Sequence, residues 1–370
     1  MVNLHPAGMP ASRGYAVDGG RQAGEITSPS TSRAALWSGS AATHVDLHPA
    51  AATDSFAYAV DGATQVGDAI ISGQYRASLW TGTAGSWMDL TPAGALRSHG
   101  LGARGGQQVG EARFGLANHA GLWTGSAASW VDLHPAAADN STAYATSGSV
   151  QVGAANINNV QRACLWTGSA ASWVDLHPSG ANGSEALAVD GALQAGYAVI
   201  GGLSSVAGTW SGTAGSWTNL NPAASTESKV YAAAAGRQVG YVRLGGVYVA
   251  SVWSGSAGSW QSLAASLPGS WADSFARGIS SDGASLTIAG YAYNLSTLRY
   301  EAVLWRGPVC YANCDASTIA PVLNIADFTC FLNRFAALDP AANCDASTTP
   351  PVLNIADFTC FLNAFAAGCP

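Results

Sequence analysis

The sequence predicts an all-β fold, a seven-bladed β-propeller of four-stranded blades closed by the N-terminal strand, followed by a small disulfide-rich α-helical module. Two repeats carry this prediction. An apolar strand that ends in tryptophan recurs at Trp37, Trp80, Trp123, Trp166, Trp210, Trp253 and Trp305, and the first six follow each other at 43 or 44 residues. A different repeat of 30 residues follows the last tryptophan. We therefore predict two domains, residues 1–307 and residues 308–370.

Each tryptophan-bearing unit contains four short apolar runs separated by turn residues. Alternating and β-branched residues bounded by such turns are typical of strands. Asp61-Gly62 and Asp190-Gly191 stand where a tight hairpin needs positive φ, whereas residues 81–86 make a wider connection. Four antiparallel strands in one unit match a propeller blade, which typically has about 40–45 residues.

The two ends of the repeat region predict a closed ring. The last unit stops after Trp305 without a fourth strand, and the chain begins with such a strand at Val2-Asn3-Leu4. Pairing this N-terminal strand with the last blade would leave no exposed terminal sheet. An open solenoid, the alternative, would leave both ends uncapped.

Composition restricts the class of partner and the compartment. The 370 residues include 15 basic and 22 acidic side chains, a net charge of −7, so nucleic acid is not an expected partner. No apolar run of the ~18 residues needed for a bilayer span is present. No secretory signal is visible, since Met1–Asn3 leads directly into the first strand. We nevertheless expect an extracellular or cell-surface protein, because of its cysteines.

Six of the seven cysteines lie in the last 61 residues: Cys310, Cys314, Cys330, Cys344, Cys360 and Cys369. This density is typical of a small oxidised domain, and the spacing lacks the Cys-x2-Cys of common zinc sites. The duplication favours Cys314 with Cys330 and Cys344 with Cys360, which leaves Cys310 and Cys369 to join the ends. Cys164 belongs to a row of equivalent positions in the seven units, which elsewhere hold Ala35, Ser78, Gly121, Gly208, Ser251 and Val303. Because this row is made of small residues, we expect Cys164 to be buried and inert.

Two repeated polar or aromatic patterns invite functional interpretations. Hairpin pairing would place Trp80 opposite Trp87, with equivalent pairs in four other blades; such pairs either stabilise the sheet or stack on sugar rings. His5, His48, His134 and His177 stand near Asp46, Asp132 and Asp175. A catalytic pair is needed once, whereas both patterns recur in several blades. We therefore expect both to be architectural.

Two family resemblances follow from these motifs. The Gln-Val-Gly run followed by His119-Ala120-Gly121-Leu122-Trp123 is similar to the HAF-type repeats of bacterial, extracellular proteins, over residues 2–307. The duplicated Asn-Cys-Asp-Ala-Ser start and Val-Leu-Asn-Ile-Ala-Asp run resemble a dockerin-type, EF-hand-like tail of planctomycete-like bacteria, over residues 310–370. Neither family implies a defined activity.

The second resemblance implies calcium, which prefers six or more oxygen ligands from a loop that opens a helix. Carried over position by position, the ligands are Asn313, Asp315, Ser317, the Val322 carbonyl, Asn324 and Asp327, and in the second copy Asn343, Asp345, Ser347, the Val352 carbonyl, Asn354 and Asp357. Each loop lacks the usual glycine and holds only two carboxylates. A disulfide-held helical hairpin without metal is therefore the open alternative.

The sequence predicts a non-catalytic binding or scaffold protein. The propeller would present a face to a protein or glycan ligand, and the tail would serve attachment to a partner that the sequence does not identify. A secreted propeller hydrolase or lyase acting on polysaccharide is the alternative, since carboxylates such as Asp54, Asp68, Glu111 and Asp273 would serve an enzyme if they converged on the central channel.

Overall fold

The computed structural model describes residues 1–201, 204–282, 285–308, 312–315, 323–339, 342, 344 and 351–368. The chain divides into two compact units. The first comprises Met1–Ser280 and Thr287–Arg306, and the second comprises Ser281–Leu286 and Gly307–Pro370. No described helix is long and apolar enough to cross a membrane.

The first unit contains seven four-stranded antiparallel sheets, the blades of a closed ring, which confirms the predicted fold class. The strands are β1 (Val2–Asn3), β2 (Ala11–Asp18), β3 (Arg21–Thr27), β4 (Ser32–Trp37), β5 (Val45–Asp46), β6 (Asp54–Asp61), β7 (Thr64–Ile71), β8 (Gln74–Trp80), β9 (Met88–Asp89), β10 (Ser98–Arg104), β11 (Gln107–Phe114), β12 (Ala117–Trp123), β13 (Val131–Asp132), β14 (Asn140–Thr146), β15 (Gln151–Ile157), β16 (Val160–Trp166), β17 (Val174–Asp175), β18 (Ala181–Asp190), β19 (Leu193–Ile200), β20 (Ser204–Trp210), β21 (Thr218–Asn219), β22 (Glu227–Ala234), β23 (Arg237–Leu244), β24 (Val247–Trp253), β25 (Gln261–Ser262), β26 (Trp271–Ser281), β27 (Ser285–Asn294) and β28 (Arg299–Pro308). Blades 1 to 6 take consecutive groups of four strands from β2 to β25.

Blade 7 is assembled from both ends of the propeller sequence. Its strand order is β1-β28-β27-β26, with Val2 opposite Leu304 and Asn3 opposite Val303. The Leu4 amide donates to the Ala302 carbonyl at 2.8 Å, and the Leu4 side chain is completely buried. The predicted closure by the N-terminal strand is therefore confirmed.

The tryptophans that end the third strands form the core between blades. Those of blades 1 to 6 are at most 1% exposed, and Trp80, for example, packs against Ala34, Leu36 and Leu47 of the preceding blade. A buried glutamine stands opposite each of these six tryptophans. Gln65 shows the arrangement: its side-chain oxygen accepts from the Gly82 amide at 2.8 Å, which fixes the turn that follows Trp80.

A ring of seven buried serines joins every blade to its neighbour. Each serine lies within the first four residues of the first strand of a blade and accepts a hydrogen bond at 2.9 Å from an alanine amide on the third strand of the preceding blade. The serines are Ser12, Ser55, Ser98, Ser141, Ser184, Ser228 and Ser274. Since a buried amide without a partner costs about 1–3 kcal/mol, this contact is a condition for packing two blades together.

The repeated histidines extend the serine contact. His48 illustrates it: Nδ1 lies 2.8 Å from Ser55 Oγ, and Nε2 lies 3.1 Å from the Ala52 carbonyl. A carbonyl only accepts, so Nε2 carries the hydrogen, and in the neutral ring Nδ1 accepts from the serine hydroxyl. Burial lowers the pKa of His5, His48, His134 and His177, which favours this neutral form. These histidines are architectural, as the repetition indicated.

The second tryptophan of each pair packs over the row of small residues. The Trp130 ring lies directly over Gly121, where a Cβ atom would clash at 2.1 Å, and its centroid is 4.7 Å from that of Trp123. Where the row has serine, the indole turns and donates a hydrogen bond instead, as Trp87 does to Ser78 at 2.9 Å. Cys164 belongs to this row and is completely buried. The tryptophan pairs thus stabilise their blades.

The second unit contains helices α1 (Ile325–Ala336) and α2 (Ile355–Ala367). Phe331 and Phe361 are buried, and their rings stack at 4.2 Å. Disulfides join Cys314 to Cys330 and Cys344 to Cys360, the pairing that the duplication favours. Cys310 and Cys369 lie outside the described residues.

Removing residues 1–8 should lower the free energy of unfolding of the whole propeller, because it deletes β1, the buried Leu4 and the His5 contact with Ser12. Chemical denaturation followed by tryptophan fluorescence measures this effect. Cooperative unfolding at an unchanged midpoint would contradict closure through β1.

A matched pair of substitutions separates closure from a general effect of truncation. Leu4→Ala should cost about 2–5 kcal/mol, as expected for a buried leucine. Leu116→Ala should change the unfolding free energy little, since Leu116 is 90% exposed.

Candidate ligand-binding site

A β-bulge in the first strand of the blades directs one side chain into the central channel. In β2, the pairing with β3 passes from Gly14 to Ala16 and leaves Tyr15 without an opposing residue. The same shift occurs in the first strands of blades 2 to 6. Bulges re-aim side chains, and the first strands of neighbouring blades contact one another from blade 1 to blade 6. The bulged position therefore faces the channel.

The residues three positions after the buried serines line a cavity of about 330 Å³. They are Tyr15, Tyr58, Leu101, Tyr144, Leu187, Tyr231 and, at the equivalent position of blade 7, Arg277. Glu185, Tyr197 and Lys229 complete the lining. The volume and the mostly aromatic and aliphatic lining with a few polar groups are typical of small-ligand sites, which occupy about 300–1,000 Å³.

Two cations in this cavity are held by aromatic rings. The Arg277 guanidinium lies 3.7 Å from the Tyr231 ring centroid and 5.8 Å from that of Tyr15, and Lys229 Nζ lies 4.0 Å from the Tyr197 centroid. Among the described residues, no carboxylate comes within 4.0 Å of either cation. The cavity thus holds two positive charges without a close ion-pair partner.

Glu185 is the acidic group of the cavity. Burial raises the pKa of its carboxyl, while a hydrogen bond with Tyr197 and the charge of Lys229 oppose that rise. Gln161 donates a hydrogen bond of 2.6 Å to Glu185. Burial also raises the pKa of Tyr15 and Tyr144 well above the usual value of 10.0, so their hydroxyls stay neutral and able to donate.

A continuous run of aromatic rings extends from the cavity across blades 6, 7, 1 and 2. We call it the aromatic belt, and it comprises Phe56, Tyr58, Tyr15, Tyr291, Tyr300, Tyr293, Phe275, Tyr241, Tyr248 and Tyr231. The centroids of contacting rings in the belt are 5.0 to 6.2 Å apart. Tyr241 is buried and the other rings are half-buried. The Arg13 guanidinium lies 5.1 Å from the Tyr300 centroid.

The four carboxylates proposed for an enzyme each bond within the fold. Asp54 accepts from the Ser32 amide and Asp273 from the Tyr248 amide, both at 2.9 Å. Asp68 lies 2.6 Å from His99, and Glu111 accepts from Asn118 at 2.8 Å and from Thr142. Each of the four carboxylates therefore has a hydrogen-bond partner within the propeller.

Asp68 and His99 form a buried pair that sequence reasoning missed. Burial raises the pKa of Asp68, and His99 opposes that rise. For His99, burial lowers the pKa, but the hydrogen bond and charge of Asp68, together with Glu111, outweigh it and the net pKa is raised. The protonated imidazole is therefore favoured here, unlike the neutral histidines bonded to the serine ring.

In the tail, the calcium candidates at the start of each helix act as helix caps. The Asn324 side chain accepts a hydrogen bond from the Ala326 amide at 2.8 Å and so caps α1. Asp327 accepts from the Asn324 amide at 2.9 Å and from the Asp315 amide at 3.3 Å. Asn354 and Asp357 repeat the capping box, and Asp327 and Asp357 are completely buried.

The described residues bring no group of three or more His, Cys, Asp or Glu side chains together for a metal ion. Ser317, Val322, Asn343, Asp345 and Ser347 lie outside the described residues. Capping therefore explains the side-chain oxygens at the start of each helix. Calcium binding stays a prediction.

Comparison with known proteins supports the propeller. A puromycin-hydrolyzing peptidase of Mycobacterium tuberculosis has a TM-score of 0.56 at 13% identity, with 84% of this chain and 55% of that chain covered. A puromycin hydrolase has a TM-score of 0.55 at 14% identity, with 81% of this chain and 52% of that chain covered. This chain thus spans about half the length of either enzyme.

The β-propeller domain of the Trilobed protease from Pyrococcus furiosus, described as having an open velcro topology, has a TM-score of 0.54 at 8% identity and covers 82% of this chain and 96% of its own. At such identities the likeness concerns the fold alone. The sequence matches no family model and no curated protein. The class defined by fold and site is therefore a closed seven-bladed propeller with an aromatic, cation-bearing channel, and the resemblance to HAF-type repeats and dockerin-type tails stays a hypothesis.

The His99 imidazole should titrate above the usual histidine value of about 6.5, whereas His5, His48, His134 and His177 should titrate below it. Because the folded chain binds the His99 proton more tightly than the unfolded chain, this contribution to stability is complete below pH of about 6.5 and is lost as pH rises through the raised pKa. Side-chain NMR titration measures the pKa of His99 and the pKa values of the four repeated histidines. Asp68→Asn should lower the His99 pKa, and Asp54→Asn should not; equal effects would contradict the pairing.

Calcium binding to the folded tail should slow hydrogen exchange of the α1 and α2 amides in proportion to the logarithm of ion concentration. The double substitution Asp315→Asn, Asp345→Asn should abolish that dependence while the capping residues Asp327 and Asp357 remain. Exchange that is unchanged up to millimolar calcium would mean that these loops are disulfide-held hairpins without metal.

Proposed function

We propose that the propeller is a non-catalytic glycan-binding module, which holds its ligand in the channel cavity and along the aromatic belt. In this proposal the protein works outside the cell or at its surface, and the tail serves attachment. The observation that carries the proposal is the continuity of the aromatic belt with the cavity.

Sugar rings present apolar C–H groups on their faces and hydroxyl groups at their edges. Aromatic rings carry a negative face that attracts such C–H groups, and tyrosine adds a hydroxyl for hydrogen bonding. The belt offers these groups in succession, with centroids 5.0 to 6.2 Å apart, so that an extended chain of sugars would meet one ring after another. Apart from the buried Tyr241, the rings of the belt are half-buried, so part of each is accessible.

A binding role also agrees with the structural use of the acid and base residues. Four of the repeated histidines bond to the serine ring, and Asp46 and Asp175 pair with Arg33 and Arg162 at 2.6 Å. Arg13 pairs with Glu25 inside blade 1. These groups are committed to bonds that hold the blades.

The disulfides of the tail support the proposed extracellular location. Two disulfides at Cys314–Cys330 and Cys344–Cys360 are compatible with an oxidising, extracellular environment. The small helical unit they hold would be stabilised by about 3 kcal/mol for each loop of this size, which suits a module exposed outside the cell.

Replacing Phe275 with leucine should weaken glycan binding about two- to tenfold, because it removes an aromatic face worth about 0.5–1.5 kcal/mol while keeping an apolar side chain. A glycan array identifies a ligand for the unaltered protein, and calorimetry measures the change in affinity.

Phe114→Leu is the matched control, since Phe114 is half-buried against His119 and Trp130 and lies outside the belt. Equal affinities for the two variants would contradict a role for the belt. Shortened oligosaccharides accumulating during incubation would identify the protein as an enzyme instead.

A further inference from the structure

We infer that the channel cavity binds a negatively charged sugar, such as a uronic acid, and that Arg277 is the residue that recognises its charge. This inference rests on the proposed glycan-binding function and specifies the ligand class. It is carried by the arrangement of Arg277, Lys229 and Glu185 around the cavity.

Arg277 breaks the pattern of its ring of equivalent positions. Tyrosine or leucine occupies the bulged position in blades 1 to 6, and blade 7 alone places a cation there. The Arg277 guanidinium carbon lies 3.7 Å from the Tyr231 ring centroid. A guanidinium carries five N–H donors, so an arginine held on one side by an aromatic ring still has donors to offer a ligand.

The charge balance of the cavity favours an anion. Arg277 and Lys229 contribute two positive charges, and Glu185 contributes at most one negative charge. Two cations near the belt differ in this respect, since Arg13 and Arg299 have carboxylate partners in Glu25 and Glu301. Arg277 and Lys229 are held by aromatic rings instead, so the cavity retains a net positive charge for a ligand.

The geometry of the Arg277 guanidinium also matches that of a carboxylate. A guanidinium presents parallel N–H donors that pair with both oxygens of a carboxylate. A uronic acid combines that carboxylate with a sugar ring that the tyrosines of the cavity can contact. A sulfated sugar offers the same negative charge on a different group, and the experiment distinguishes the two.

The test measures calorimetric affinities for trigalacturonic acid, for its fully methyl-esterified form and for a sulfated galactose trisaccharide. The unaltered protein should bind the acid at least tenfold more tightly than the ester, because esterification removes the charge that strengthens the hydrogen bonds from Arg277. Arg277→Gln should remove most of this preference, and Arg76→Gln, the same change outside the cavity, should preserve it.

Glu185→Gln should change the affinity for the acid in the opposite direction. It removes the negative charge of the cavity and keeps the shape of the side chain, so it should tighten binding of the acid and leave binding of the ester unchanged. This variant keeps the inference testable even where Arg277→Gln fails to fold.

The outcomes separate this inference from the proposed function. Equal affinity of the unaltered protein for acid and ester, or equal behaviour of Arg277→Gln and Arg76→Gln, would overturn the charge recognition while glycan binding stands. Preference for the sulfated trisaccharide that depends on Arg277 would support an anionic sugar and identify its charged group as a sulfate. Binding of none of the three would overturn the charge recognition, and binding of no glycan on the array would overturn both proposals.

Discussion

The hydrogen bond from an alanine amide to a buried serine of the next blade is the contact on which the rest of the propeller depends. It occurs at all seven junctions with the same length of 2.9 Å, including the junction between Ala302 and Ser12 that closes the ring. Hydrophobic packing of tryptophan against the neighbouring blade supplies non-directional attraction. The serine contact adds direction, because it forms only when the first strand of one blade is in register with the third strand of another.

Architecture and recognition occupy neighbouring positions of the same strands. Ser12 holds blade 1 to blade 7, and three residues later Tyr15 faces the channel. A single bulge between them separates the two roles. Residues at the bulged position can therefore vary, as Tyr231 and Arg277 do, without altering the contacts that keep the ring closed.

The sequence was sufficient to predict the blade count, the closure and the Asp61-Gly62 turn, in which Gly62 has the expected positive φ of 54°. These features follow from periodicity and from local backbone requirements. The channel residues were missed because the bulge at Tyr15 interrupts the alternation on which strand patterns depend. Arg277 and Tyr231 come from the first strands of neighbouring blades, and no local pattern records such a long-range contact. The pairing of Asp68 with His99, 31 residues apart, was missed for the same reason.

The closure of blade 7 also determines the order in which the chain can fold. Blades 1 to 6 are built from continuous sequence, so each can form as its residues leave the ribosome. Blade 7 requires Val2 to meet Leu304, and contacts so distant in sequence form slowly because a long loop must close first. Until then β1 has no partner strand and remains open to pairing with other chains. The completed ring removes that hazard only after the last strand has been synthesised, which makes translation itself the period of greatest vulnerability to aggregation.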